Sequence, residues 1–140
     1  MGKSTSTSNS ILALIYNAVA WANIADNAGS SPRTYIEIAL HTGTVAVGDA
    51  QTVNEANFGA YARLQIARST SGFEVPASGS TSNKTLAQFL ECTGGTNVIT
   101  NVSTGHGGTV LHTGTLSSPR TISSGIRAQF GANQLVVSES

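Results

Sequence analysis

A chain of 140 residues and 14.3 kDa is the size of one ordinary domain and long enough to bury a core. Only 10% of the residues are charged, seven basic against seven acidic, so the chain lacks the basic stripe that phosphate neutralisation requires, and no nucleic-acid partner is expected. One cysteine excludes an intrachain disulfide, and no run of about 18 apolar residues is present to span a membrane.

Residues 1–10, MGKSTSTSNS, read as a polar low-complexity arm, expected to be held by a neighbouring chain. A helix is predicted over 11–28, capped by Asn9 or Ser10, because Ile11, Leu14, Ile15, Ala18, Ala22 and Ala25 recur at steps of three and four. Its broad apolar stripe predicts burial on two sides, one of them against a partner. The same stretch makes a poor signal peptide, since Lys3 is the only basic residue before it and Asn17 interrupts it.

From Thr34 the period changes to two. Tyr35–His41 points Ile36, Ile38 and Leu40 one way and Glu37 and His41 the other. The segment 61–68 repeats the pattern, with Ala62, Leu64 and Ile66 inward. Shorter strands are predicted at 73–75, 86–90, 97–102, 109–116, 126–130 and 134–138, separated by Gly, Pro, Ser and Asn clusters. Ser, Thr and Asn make up 45 of the 140 residues, which suits a surface of hydroxyls and amides rather than charges. These elements predict a mainly β fold: an antiparallel β-sandwich or jelly-roll-like domain of about eight strands over 33–140, with one N-terminal α-helix. The loop at 42–60 is long enough to be functional or interface-forming.

Signals for chemistry are thin. Gly105-His-Gly-Gly108 is similar to the oxyanion-hole glycines of esterases, but no Gly-x-Ser-x-Gly elbow accompanies it, and a glycine-rich loop between strands accounts for it. Gly2-Lys3-Ser4 lacks the remaining glycine of a phosphate-binding loop. No His or Cys pair has metal-ligand spacing, and Asp49, Asn54 and Glu55 do not match a calcium loop. Cys92 reads as a buried structural thiol. Asn83-Lys-Thr85 and Asn101-Val-Ser103 match the glycosylation pattern, which has meaning only in a secretory pathway. Arg63 and Arg68 read as solvated edge charges. The strings ALHTGTV at 39–45 and VLHTGTL at 110–116 echo each other 71 residues apart, and two strands ending alike explain this better than a duplication bringing His41 and His112 together. No catalytic residue, metal or cofactor is therefore expected, and no small-molecule substrate or membrane partner.

Several stretches do carry a likeness. The string YIEIALHT at 35–42, the run NEANFGAYARLQIARS at 54–69, Cys92-Thr-Gly-Gly95 and Gly125-Ile-Arg-Ala-Gln-Phe130 together resemble a family of small bacteriophage virion structural proteins. Members are variously labelled capsid cement or decoration proteins and tail-fibre proteins. His41 is followed here by Thr-Gly-Thr-Val instead of the family's Asp-Pro-Gly turn, so the start of the long loop is expected to be built differently. The resemblance implies a virion protein assembled in the host cytoplasm. The first expectation is a cement protein that stabilises the assembled shell by contacts with the major capsid protein and with other copies of itself. Its contacts are expected at Lys3, Ser4, Thr5 and Ser8 of the arm, Trp21 of the helix and Phe58 of the long loop. The alternative is a tail-fibre or receptor-binding module that recognises a host glycan, which would need an exposed aromatic platform.

Overall fold

A computed structural model of the chain describes residues 2–21 and 33–139. Among these the protein is mainly β, with one helix near the N-terminus, α1 (Thr5–Tyr16), and eight strands in antiparallel sheets. The strands are β1 (Tyr35–His41), β2 (Leu64–Ala67), β3 (Ser80–Ser82), β4 (Ala87–Glu91), β5 (Thr96–His106), β6 (Thr109–Ser123), β7 (Arg127–Phe130) and β8 (Val136–Ser138). They form one four-stranded sheet in the order β2-β1-β5-β6 and two ribbons, β3-β8 and β4-β7. The residues fall into two compact units. Of the described residues, unit 1 gathers 2–21, 33–35, 66–87 and 130–139, and unit 2 gathers 36–65 and 88–129.

In unit 1 the helix begins well before the predicted 11–28. The hydroxyl of Ser4 accepts a 3.1 Å bond from the N–H of Thr7, so the polar residues expected to form an arm instead make the first turns. Asn9 and Ser10 lie inside the helix, and Asn9 Oδ1 accepts from the N–H of Gly79. The helix stops at Asn17 because Ala18 takes a left-handed conformation, φ 57°. The rest of the predicted helix, 22–28, lies outside the described residues. Arg68 is no solvated edge charge: its guanidinium donates to the carbonyls of Leu14 and Ile15, both at 2.6 Å, where the C-terminal end of a helix attracts a cation. Leu12 and Tyr16 are fully buried, and the Tyr16 ring meets Phe73 edge-on at 4.8 Å between centroids. β3, a strand of Ser-Thr-Ser with no apolar alternation to announce it, pairs with β8 from Ser80↔Ser138 to Ser82↔Val136.

In unit 2, β5 is the central strand. It pairs with β1 on one side (Glu37↔Gly105 to His41↔Asn101) and with β6 on the other (Thr96↔Ser123 to His106↔Thr109). Gly107 and Gly108, both with positive φ (56° and 84°), supply the two-residue turn of the β5–β6 hairpin, which is what the Gly-His-Gly-Gly string builds. The two echoing histidines are held apart. His41 sits opposite Asn101 and His112 opposite Thr104, on opposite edges of β5 and three positions out of step. Ile36, Ile38 and Leu40 are buried as the alternation predicts, but Ala39 and His41 on the other face are buried too. The long loop explains this. Residues 42–60 fold back on β1: the N–H of Thr42 bonds Asn54 O, the N–H of Ala56 bonds Leu40 O, and His41 bridges to Glu55.

Candidate functional site

The chemistry-bearing residues of unit 2 converge where that loop closes on β1. His41 is wholly buried and Ser103 nearly so. The imidazole Nδ1 lies 2.9 Å from the carbonyl of Val53, which can only accept, so Nδ1 carries the proton. Nε2 is then the acceptor for the Ser103 hydroxyl at 2.8 Å. Gln51 Nε2 donates to Ser103 Oγ at 3.2 Å and to Glu37 O at 3.3 Å, giving a one-way chain of donors from Gln51 through Ser103 and His41 to Val53. A serine bonded to a histidine is the arrangement that activates a nucleophile. Here both partners are sealed from solvent and the imidazole is oriented by a carbonyl rather than a carboxylate, so the pair fastens the loop to the sheet.

A second cluster flanks it. Arg63 grips Glu55 with two bonds, Nε–Oε1 at 2.7 Å and Nη2–Oε2 at 2.9 Å, and approaches Glu37 at 3.7 Å. This correction to the solvated reading of Arg63 arises because the loop carries Glu55 over the strand. The hydrogen bonds it donates to Glu55 hold the Arg63 guanidinium above its ordinary value. Tyr61 donates to Glu55 Oε1 and accepts from the N–H of Leu40, and burial pushes its phenol up. Sequence reasoning missed this cluster. The signal was the run 54–69, which holds Glu55, Tyr61 and Arg63 together and is the best single piece of the family likeness.

The His41 network sets a pH dependence. Burial holds the imidazole below its ordinary 6.5, against the opposing pull of the Val53 hydrogen bond. The unfolded chain takes up a proton more readily than the folded one. The stabilisation is therefore complete above 6.5 and is lost as the pH falls from there through the lowered native value. Thermal melts between pH 8 and pH 5 should show a decline that His41→Gln reduces, and an unchanged profile in that variant would remove His41 as the source.

The residues expected to form an interface are divided between the two units, Phe58 in unit 2 and the others in unit 1. Lys3 pairs with Glu139, Ser4 caps α1, and Thr5 is exposed on its first turn. Ser8 and Phe58 are each buried at 3% exposure, Ser8 on the inner face of α1 and Phe58 edge-on against Tyr61 at 5.2 Å. Trp21 is half-buried and lies beyond the end of the helix. Asp49, Asn54 and Glu55 each have a separate local partner: Ala46 N, Thr44 O and Arg63. Asn83 and Asn101 are buried with bonded amides, so neither presents a glycosylation site on the folded surface.

A model of the family described as podophage GP4 fiber I protein gp80 matches residues 2–138. The chain belongs to that family. It is a family of phage virion structural proteins, in agreement with the likeness carried by 35–42 and 54–69, and its description speaks of a fibre rather than of capsid cement. No curated protein matches the chain.

Proposed function

We propose that the chain is a structural subunit of a phage fibre, acting through contacts with other copies of itself and with neighbouring virion proteins, without catalysis or a cofactor. The observation that carries this is the match to a fibre-protein family over residues 2–138. It supports the fibre reading better than the shell-cement expectation. The geometry supports a structural role, because the polar groups that could do chemistry bond one another and hold a loop. The aromatic residues give a stacked sugar little support: all eight are buried or half-buried.

Particle imaging with antibody against this chain, together with its copy number by quantitative mass spectrometry, tests the reading. Label on fibres and a count in the tens per particle is the expected result. Label spread over the shell and a count in the hundreds would overturn it and restore the cement role, with the major capsid protein as partner.

A further inference from the structure

β6 is the outermost strand of the four-stranded sheet, and among the described residues its outer edge is covered at one end only. There, residues 48–50 cover it: the N–H of Gly48 bonds Val110 O and the N–H of Val110 bonds Asp49 O. Past that point the direction of the backbone groups follows from the register. Leu40 spends its N–H on Tyr61 Oη and its C=O on Ala56 N, so it makes no ladder bonds with its neighbour Val102. In an antiparallel sheet a residue outside the ladder on one side is inside it on the other, so Val102 bonds its partner on β6, Gly114. Thr113 and Thr115, one step either side, therefore turn their N–H and C=O groups outward. Both are exposed, and no backbone hydrogen bond from the described residues reaches those groups.

Gly114 supplies a second, independent sign. Glycine weakens a strand, and one in mid-strand often marks a bulge, a tight bend or the close approach of another backbone; Gly114 itself lies in register opposite Val102, between the two breaks. Among the described residues nothing crowds it: its φ is not in the left-handed range, and an added Cβ would meet nothing within 4 Å. The open window is also symmetric about it. Val110 is covered four positions before, and the register breaks within 116–119 on the other side, where β6 carries extra residues opposite β5.

We propose that the outer edge of β6 pairs antiparallel with the same edge of a second copy of this chain about a two-fold axis through Gly114. Thr113 then exchanges both backbone bonds with the other copy's Thr115, and the reverse, while the two glycines face each other in the close, non-hydrogen-bonded position. An extended backbone satisfies four outward groups in a row at once, which makes an open edge a template for pairing. A second copy is the partner that fits best, because Thr-Gly-Thr reads the same in both directions, threonine opposite threonine is a favourable cross-strand pair, and neither charge nor proline interrupts 109–118. A net charge of zero leaves no repulsion between copies. This deepens the fibre reading by naming one contact between subunits.

The test is a cysteine placed at the axis. The two-fold puts the Cα atoms of Gly114→Cys about 4.5 Å apart, within disulfide range. That variant should form a cross-linked dimer about tenfold faster than Thr121→Cys, which is exposed on the same strand beyond the register break. Adding Thr113→Lys and Thr115→Lys should abolish the advantage by setting like charges opposite each other. Adding Thr113→Glu and Thr115→Lys instead should restore it, since the two-fold then pairs unlike charges, which a folding defect would not mimic. Equal cross-linking of the Gly114→Cys and Thr121→Cys variants, or equal behaviour of the two charge patterns, would overturn the pairing. Failure here with label on fibres would leave the fibre reading standing, and success with label elsewhere would do the opposite.

Discussion

Truncating Tyr16 to alanine should destabilise unit 1 by about 3–5 kcal/mol, the range for removing a large ring from a closed core. Tyr16 is fully buried, caps the inner face of α1 and holds the edge-on contact with Phe73. The variant loses the burial of one ring and leaves a cavity under the other. Urea unfolding measures the loss, with Thr5→Ala on the exposed first turn as a control that should change stability by no more than about 0.5 kcal/mol. A loss below about 1 kcal/mol would mean that α1 is not docked in solution.

Asn83→Ala should cost about 3 kcal/mol or more, although it removes only one short side chain. The Asn83 amide donates to Thr85 O at 2.7 Å and to Gly131 O at 2.8 Å, and its oxygen accepts from the N–H of Leu135 at 2.8 Å. Alanine leaves the buried N–H of Leu135 and two part-buried carbonyls, those of Thr85 and Gly131, without their partner, at roughly 1 kcal/mol or more each. Asn83→Asp should be about as damaging near neutral pH, because its carboxylate can keep the bond from Leu135 but faces two carbonyls with no proton to offer. The comparison of the two variants by urea unfolding separates this account from simple loss of volume, since Asp is nearly isosteric. If Asp is tolerated and Ala is not, the hydrogen bonds are not what Asn83 contributes.

Asn83 also shows where the sequence could be read and where it could not. β1 was legible to the residue because Tyr-Ile-Glu-Ile-Ala-Leu-His alternates, and most other strands were legible through the same period and their flanking turn residues. β3 was hidden because Ser-Thr-Ser looks like the loop around it, and only its pairing with β8 makes it a strand. β6 was expected to end near residue 116, since Ser-Ser-Pro reads as a stop, yet Pro119 sits where the strand breaks register and needs no ladder N–H. The helix begins earlier than its apolar stripe predicts because Ser4, not Asn9 or Ser10, caps it, and Arg68, far along the chain, seals its other end. The candidate site had the same difficulty. Each of Glu55, Arg63, His41 and Gln51 is an ordinary polar residue in isolation, and their burial comes from a loop that returns to the sheet, a property of tertiary closure that no local pattern records.

Unit 1 is woven from both ends of the described chain: Lys3 meets Glu139, Ser80 lies across from Ser138, and the N–H of Glu139 bonds Gly79 O. Tension applied to those two ends is therefore carried first by unit 1, across the α1, β3 and β8 contacts. The segments of unit 2 lie on the intervening loops and stay slack until those contacts part. The His41 and Arg63 networks would then be shielded from a tug on the termini, and the first step of mechanical failure would be the release of the helix and the last strand.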